Sequence, residues 1–213
     1  MGKLKLIIIL ISLGATLFII NNVRLASKEK SLSSISEVTT EKRDKDILRN
    51  CPVSTEWGFP VGYPSAQGYY NAQIFGKNNH LGDDWNGVGG GNTDIGDNVY
   101  SISDGIVSFS DNLGGGWGNI VRIYHNIGSF EKPQFIESFY AHLEDVSVSE
   151  GTVVKAGQKI GTIGNVQGKY LAHLHFEIRH KVDLPIGPGY SYNNSGYLDP
   201  TQFIRKMMKK MNN

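Results

Sequence analysis

The sequence predicts a mainly β domain, an antiparallel sheet folded as a groove, sandwich or barrel, with an apolar N-terminal helix before it and a short C-terminal helix after it. Three observations predict this. Apolar and polar residues alternate in several short runs. Glycine is abundant, at 26 residues against 7 prolines, so the runs are punctuated by turns. Helix-period patterns are almost confined to the two ends of the chain.

At the N-terminal end, Lys3 and Lys5 precede an apolar run from Leu6 to Ile20. A positive stretch followed by an apolar one reads as an export signal, cleaved or retained as an anchor, over residues 1–23. The run is shorter than the ~20 residues that span a bilayer comfortably. No clear small-x-small cleavage site follows it. Either reading delivers the remainder outside the cytoplasm, in the cell envelope or beyond. Residues 24–50 are rich in Ser, Lys, Glu and Asp and read as a polar linker, with a helical stretch near Glu41 to Leu48. The folded domain is expected over residues 51–205, with a basic tail at 206–213.

Within that domain, residues 99–109 alternate with a turn at Asp104-Gly105, and residues 119–125 and 135–143 alternate as well. Residues 152–163 read as two short strands broken at Ala156-Gly157. Residues 172–179 alternate most strongly. Residues 201–212 carry Phe203, Ile204, Met207 and Met208 at helical spacing and read as a terminal helix docking on the sheet. The alternative is contact with an anionic envelope surface through its basic side chains.

The formal net charge is +1, which gives no general field for nucleic acid. Cys51 is the sole cysteine, so no disulfide forms within the chain, and nothing around it resembles the setting of a nucleophile. Gly114-Gly115-Gly116 lacks the lysine and hydroxyl of a phosphate loop and reads as a hairpin. His125 and His180 read as structural or solvated. No oligomeric state is legible.

The chemistry concentrates in three segments. In His173-Leu174-His175, a strand directs residues i and i+2 to one face, so His173, His175 and Glu177 share a polar face that is either solvated or functional. Leu174, Phe176 and Ile178 point to the core. Cβ atoms ~6–7 Å apart suit one metal ligand with a neighbouring base. In His80-Leu81-Gly82-Asp83-Asp84, His80 and Asp84 fall on one face. Gly82 between them leaves room for an ion, and Asp83 points away. A carboxylate with two imidazoles is a three-ligand zinc set with a fourth position open to water. Tyr140-Ala141-His142-Leu143 ends an alternating strand and offers His142 as a further imidazole beside the ion.

The three segments together resemble the lysostaphin-type zinc metallopeptidases that act on peptidoglycan. That family carries H-x-G-x-D, a Y-A-H-L-type segment and H-x-H before an apolar strand. Here these stand as HLGDD (80–84), YAHL (140–143) and HLHFEI (173–178), with supporting similarity at 96–107, 116–125, 154–165 and 197–204. The resemblance spans roughly residues 56–205. It implies one Zn2+ held by His80, Asp84 and His175, with His173 as general base and His142 as its partner in handling the water or the transition state. It also implies a groove related to the lipoyl-domain barrel-sandwich hybrid, with the ion on its floor, and the peptides of peptidoglycan as substrate. Glu177 is read as structural, with a contact to the ligand histidine as the lesser alternative. One departure stands out: WNGVGGGNTDI (85–95) replaces what is usually a short link, as a flexible rim loop or a tight backbone passage. Two other classes compete with the enzyme. One is a non-catalytic wall-binding or regulatory module on the same fold. The other is a carrier-type barrel, which leaves the histidine segments unexplained.

Overall fold

The computed structural model describes residues 46–211 together with Lys28 and Lys30. The expected signal or anchor at 1–23 and most of the linker at 24–50 lie outside these residues. Of the helical stretch expected near Glu41 to Leu48, residues 46–48 are described and are helical, and the helix runs on to Arg49. Among the described residues, no helix is long and apolar enough to cross a membrane. A compact unit begins at Ile47.

That unit is mainly β. Its strands are β1 (Tyr69–Gln73), β2 (Asp83–Gly87), β3 (Asn98–Tyr100), β4 (Gly105–Asn112), β5 (Asn119–Asn126), β6 (Phe135–Val146), β7 (Val153–Val154), β8 (Lys159–Ile163), β9 (Leu174–Arg179) and β10 (Tyr197–Leu198). A single helix, α1 (Pro200–Met211), follows them. The main hydrogen-bonded path runs β1-β2-β9-β6-β5-β4-β7, while β8 pairs with β3 and β6, and β10 pairs with β9. The sheet is open, so the expected barrel does not close. β7, at one end of the path, is two residues long and lies between Gly151 and Gly157, both with positive φ, which turn the chain out of the ladder.

Alternation places the core. On β9, Leu174, Phe176 and Ile178 are fully buried and join Tyr140 and Ile136 of β6 in the main apolar cluster. Tyr140 and Phe176 are direct cross-strand partners with ring centroids 5.1 Å apart. Burying a side chain such as Phe176 or Ile178 contributes roughly 1.5–3 kcal/mol. The opposite face carries His175, Glu177 and Arg179 of β9 beside Ala141, Phe139 and Glu137 of β6, partner to partner.

The terminal helix docks as its spacing predicts. Ile204 is fully buried, and Phe203 meets Trp57 edge-on at 5.5 Å. Pro200 opens the helix, and Asp199 caps it: its carboxylate accepts the Gln202 N–H at 2.9 Å. Asp83 of β2 accepts the Thr201 N–H at 3.1 Å and the Thr201 hydroxyl at 2.7 Å. The two neighbouring aspartates thus divide their work, Asp83 anchoring the helix on one face of β2 and Asp84 facing the other way.

Candidate metal centre

Asp84 and His175 are direct partners across the β2–β9 ladder. Strand pairing therefore brings together two residues 91 positions apart. His80 enters from the turn before β2, where its backbone bridges Tyr190. The result is a convergence of three ligand atoms. His175 Nδ1 lies 3.0 Å from Asp84 Oδ1 and 3.1 Å from His80 Nε2, and His80 Nε2 lies 3.3 Å from Asp84 Oδ1. Bonds of ~2.0–2.1 Å at tetrahedral angles put ligand atoms roughly 3.3 Å apart. The three atoms stand at the spacing of three corners of one coordination tetrahedron, and His80, Asp84 and His175 can hold one ion.

The polar face of β9 is not solvated, contrary to one branch of the sequence reading. His175, Glu177 and Arg179 are each at most 3% exposed. Burial is tolerated because every charge meets its opposite. His175 Nε2 donates to Glu177 Oε1 at 3.0 Å, and Arg179 Nε donates to Glu177 Oε2 at 2.7 Å. Arg179 Nη1 lies 3.8 Å from Glu137, which in turn takes both Nε and Nη2 of Arg122. Glu177 is therefore a partner of His175, the alternative that the sequence reading ranked lower. By accepting the hydrogen bond from His175 Nε2–H it leaves Nδ1 as the nitrogen that faces the site.

Burial works against charge on His175, but its bonds to Asp84 and Glu177 outweigh this and raise it to about 9 without an ion. Burial likewise works against the Asp84 carboxylate, and His175 and His80 outweigh it, holding Asp84 well below the usual range. The cluster is a paired set of charges in which a cation can replace a proton.

Gly82 serves a purpose other than room for an ion. A Cβ there would lie 2.4 Å from the Phe176 carbonyl oxygen and 3.0 Å from Glu177 Cγ. Glycine is required by the close passage of β9.

His142 and His173 flank the cluster in the same cleft, of about 610 Å3, lined also by Asp84, His175, Trp117, Tyr170 and Tyr190. His173 Nδ1 donates to the Leu171 carbonyl at 2.7 Å, and its Nε2 stands 4.0 Å from Asp84 Oδ1. His142 Nδ1 donates to the Trp117 carbonyl at 3.2 Å. Both imidazoles thus leave Nε2 as the lone-pair nitrogen. His142 has φ 63, a left-handed conformation in mid-strand. Burial, then the neighbouring His175 and His173, lower it to about 3. Trp117, Tyr170 and Tyr190 were not found by sequence reasoning. Their rings lie within 6 Å of site imidazoles, but as loop aromatics they carry no periodic signal.

The fold and the cluster define an open antiparallel-sheet domain with a candidate mononuclear His/Asp/His metal site. Residues 84–188, just under half of the chain, match the profile described as Peptidase family M23. The matched stretch holds Asp84, His142, His173 and His175, while His80 lies just before it. Among relatives, lipoprotein NlpD of Yersinia enterocolitica is 43% identical over 67 residues, covering 32% of this chain and 61% of that protein. Murein hydrolase activator NlpD of Escherichia coli (strain K12) is 44% identical over 66 residues, covering 31% of this chain and 15% of that protein. The chain thus spans less than two thirds of the length of either relative. The crystal structure of cbpa from L. salivarius REN aligns with a TM-score of 0.52 at 25% identity, covering 73% of this chain and 99% of that one.

Proposed function

We propose that this chain is a zinc-dependent endopeptidase that hydrolyses cross-links or stem peptides of bacterial peptidoglycan. The observation that carries the proposal is the convergence of His80 Nε2, Asp84 Oδ1 and His175 Nδ1 within 3.0–3.3 Å in a cleft that also presents two imidazoles with free Nε2 atoms. Bound by these three residues, zinc supplies a Lewis acid and brings the pKa of water to roughly 7.

His173 serves as general base. Its Nδ1 is committed to the Leu171 carbonyl, so Nε2 receives the proton as water attacks the peptide carbonyl and returns it to the leaving amine. His142 accepts a hydrogen bond through Nε2 from the hydrogen that the water keeps. Support for the oxyanion from His142 would need a proton on that nitrogen, which burial and two neighbouring imidazoles oppose. Residues 1–23 export or anchor the chain, the linker 24–50 tethers the domain, and the protein works in the cell envelope.

A second reading draws on the murein hydrolase activator of Escherichia coli that the chain resembles: the domain acts as an activator of murein hydrolases. One assay separates them. Purified sacculi incubated with the full chain should release soluble muropeptides. Release should stop on chelation, return with zinc, and vanish in His173→Ala with the zinc content unchanged. No release by the wild-type chain alone, combined with stimulation of an added murein hydrolase, favours the activator.

A further inference from the structure

The glycine-rich stretch at 85–95 is not a loose rim. Gly90 and Gly91 take successive positive φ values of 70 and 60, a reversal that glycine enters without strain. Thr93 then closes the turn on the Gly90 carbonyl through both its amide (3.2 Å) and its hydroxyl (2.8 Å). Buried Asp94 accepts the Gly87 N–H at 2.8 Å. Beyond it, Gly96 donates to the Ile163 carbonyl and Ile163 donates to the Asp97 carbonyl, both at 2.8 Å, so the far end is fastened to β8.

From this braced stretch two amide side chains reach the residue before His173. Asn92 Oδ1 accepts the Ala172 N–H at 2.8 Å, and Asn86 Nδ2 donates to the Ala172 carbonyl at 3.0 Å. The Ala172 N–H and the Leu171 C=O belong to one planar peptide group. On its other side, that same carbonyl accepts His173 Nδ1–H at 2.7 Å. A continuous chain of hydrogen bonds thus runs from Asn92 through one rigid peptide plane to the imidazole. The next plane is held as well: Asn86 takes its carbonyl, and its N–H, from His173, donates to the Gly164 carbonyl at 3.3 Å.

We propose that Asn92, with Asn86 beside it, is a positioning residue for His173: it locks the Leu171–Ala172 peptide plane, which fixes the orientation and the Nδ1–H tautomer of that imidazole. The functional part of this inference rests on the general-base role of His173. Neither asparagine belongs to the metal set, so substitution leaves zinc uptake unchanged. A misplacement on the order of 1 Å is enough to cost up to about 100-fold in turnover, and loss of one of two clamps should cost about tenfold.

The test compares Asn92→Ala, Asn92→Asp and Asn86→Ala with wild type in the full chain. Hydrogen exchange at the Ala172 amide reads the clamp directly, and 15N shifts of His173 read its tautomer. In Asn92→Ala, Ala172 exchange should rise at least tenfold, the Nε2–H tautomer should gain population, and kcat should fall about tenfold with KM within twofold. Asn92→Asp keeps an acceptor oxygen and should restore all three. Asn86→Ala, which cuts the neighbouring plane, should shift the tautomer in the same direction. Unchanged Ala172 protection and an unchanged His173 tautomer in both alanine variants overturn the proposal. Should His173→Ala retain full activity, the general-base reading fails, while the exchange and tautomer measurements still decide whether the clamp exists.

Discussion

Replacing Glu177 with glutamine removes a carboxylate that two groups share. His175 Nε2 lies 3.0 Å from one oxygen, and Arg179 Nη2 lies 2.6 Å from the other. All three side chains are essentially buried, so no water replaces what is lost. Two effects follow. The glutamine carbonyl can still accept the Nε2 proton of His175, but without a full charge it holds the imidazole less firmly as a ligand. Losing such a partner typically costs 10–100-fold in metal affinity, which is about 1.4–2.7 kcal/mol. The remaining amide NH2 must face the Arg179 guanidinium, whose next carboxylate, Glu137, is 3.8 Å away. Breaking one side of a buried ion pair destabilises by roughly 3–5 kcal/mol. The assays are zinc competition against a chromophoric chelator and denaturant unfolding of the metal-free protein. A double variant, Glu177→Gln with Arg179→Met, should recover much of the stability and none of the affinity, which separates the two effects. Wild-type zinc affinity in a folded Glu177→Gln protein would refute the reasoning.

Two further outcomes are expected. His125 is fully buried, with Nδ1 donating to the Asp104 carbonyl and Nε2 facing Ser138, and burial lowers it from 6.5 to about 4. Between those values the unfolded chain holds the proton and the native chain does not, so stability falls as the pH drops from about 6.5 to 4. The loss reaches about 3 kcal/mol, and His125→Gln should flatten that part of the stability–pH curve measured by denaturant titration. Gly82→Ala forces a methyl against the Phe176 carbonyl and should cost roughly 1–3 kcal/mol in the same assay, with weakened zinc uptake because β2 and β9 are pushed apart. A fully stable Gly82→Ala protein contradicts the close approach.

Much of this architecture was legible before any coordinates. β5 and β9 follow their alternating runs to within two residues, since a strand with one apolar face writes its period of two directly into the sequence. β1 and β2 carried no such signal: YYNAQ and DDWNG are short, and each puts polar and aromatic residues together on one face. β6 continues past the left-handed His142 to Val146 because Leu143 and Val146 pair with Ile163 and Gly161 of β8, which side-chain alternation does not reveal. The proposed ligands were legible because their spacing is unusual. Their supporting contacts were not. Glu177 reads as structural from the family pattern, and its ion-paired partners Arg179, Glu137 and Arg122 come together only through the β9–β6–β5 register. The stretch at 85–95 showed its glycines but hid its two asparagines, whose partner Ala172 lies 80 residues or more downstream.

Zinc K-edge X-ray absorption on the zinc-loaded full chain, with metal content determined on the same sample, addresses the ligand set most directly. The expected result is one zinc per chain, two imidazole nitrogens, one carboxylate oxygen and one further light atom at ~2.0–2.1 Å, with stoichiometric uptake lost in His80→Ala, Asp84→Ala and His175→Ala. Uptake well below one per chain, or a spectrum that stays the same in His175→Ala, would contradict a centre built from these three side chains.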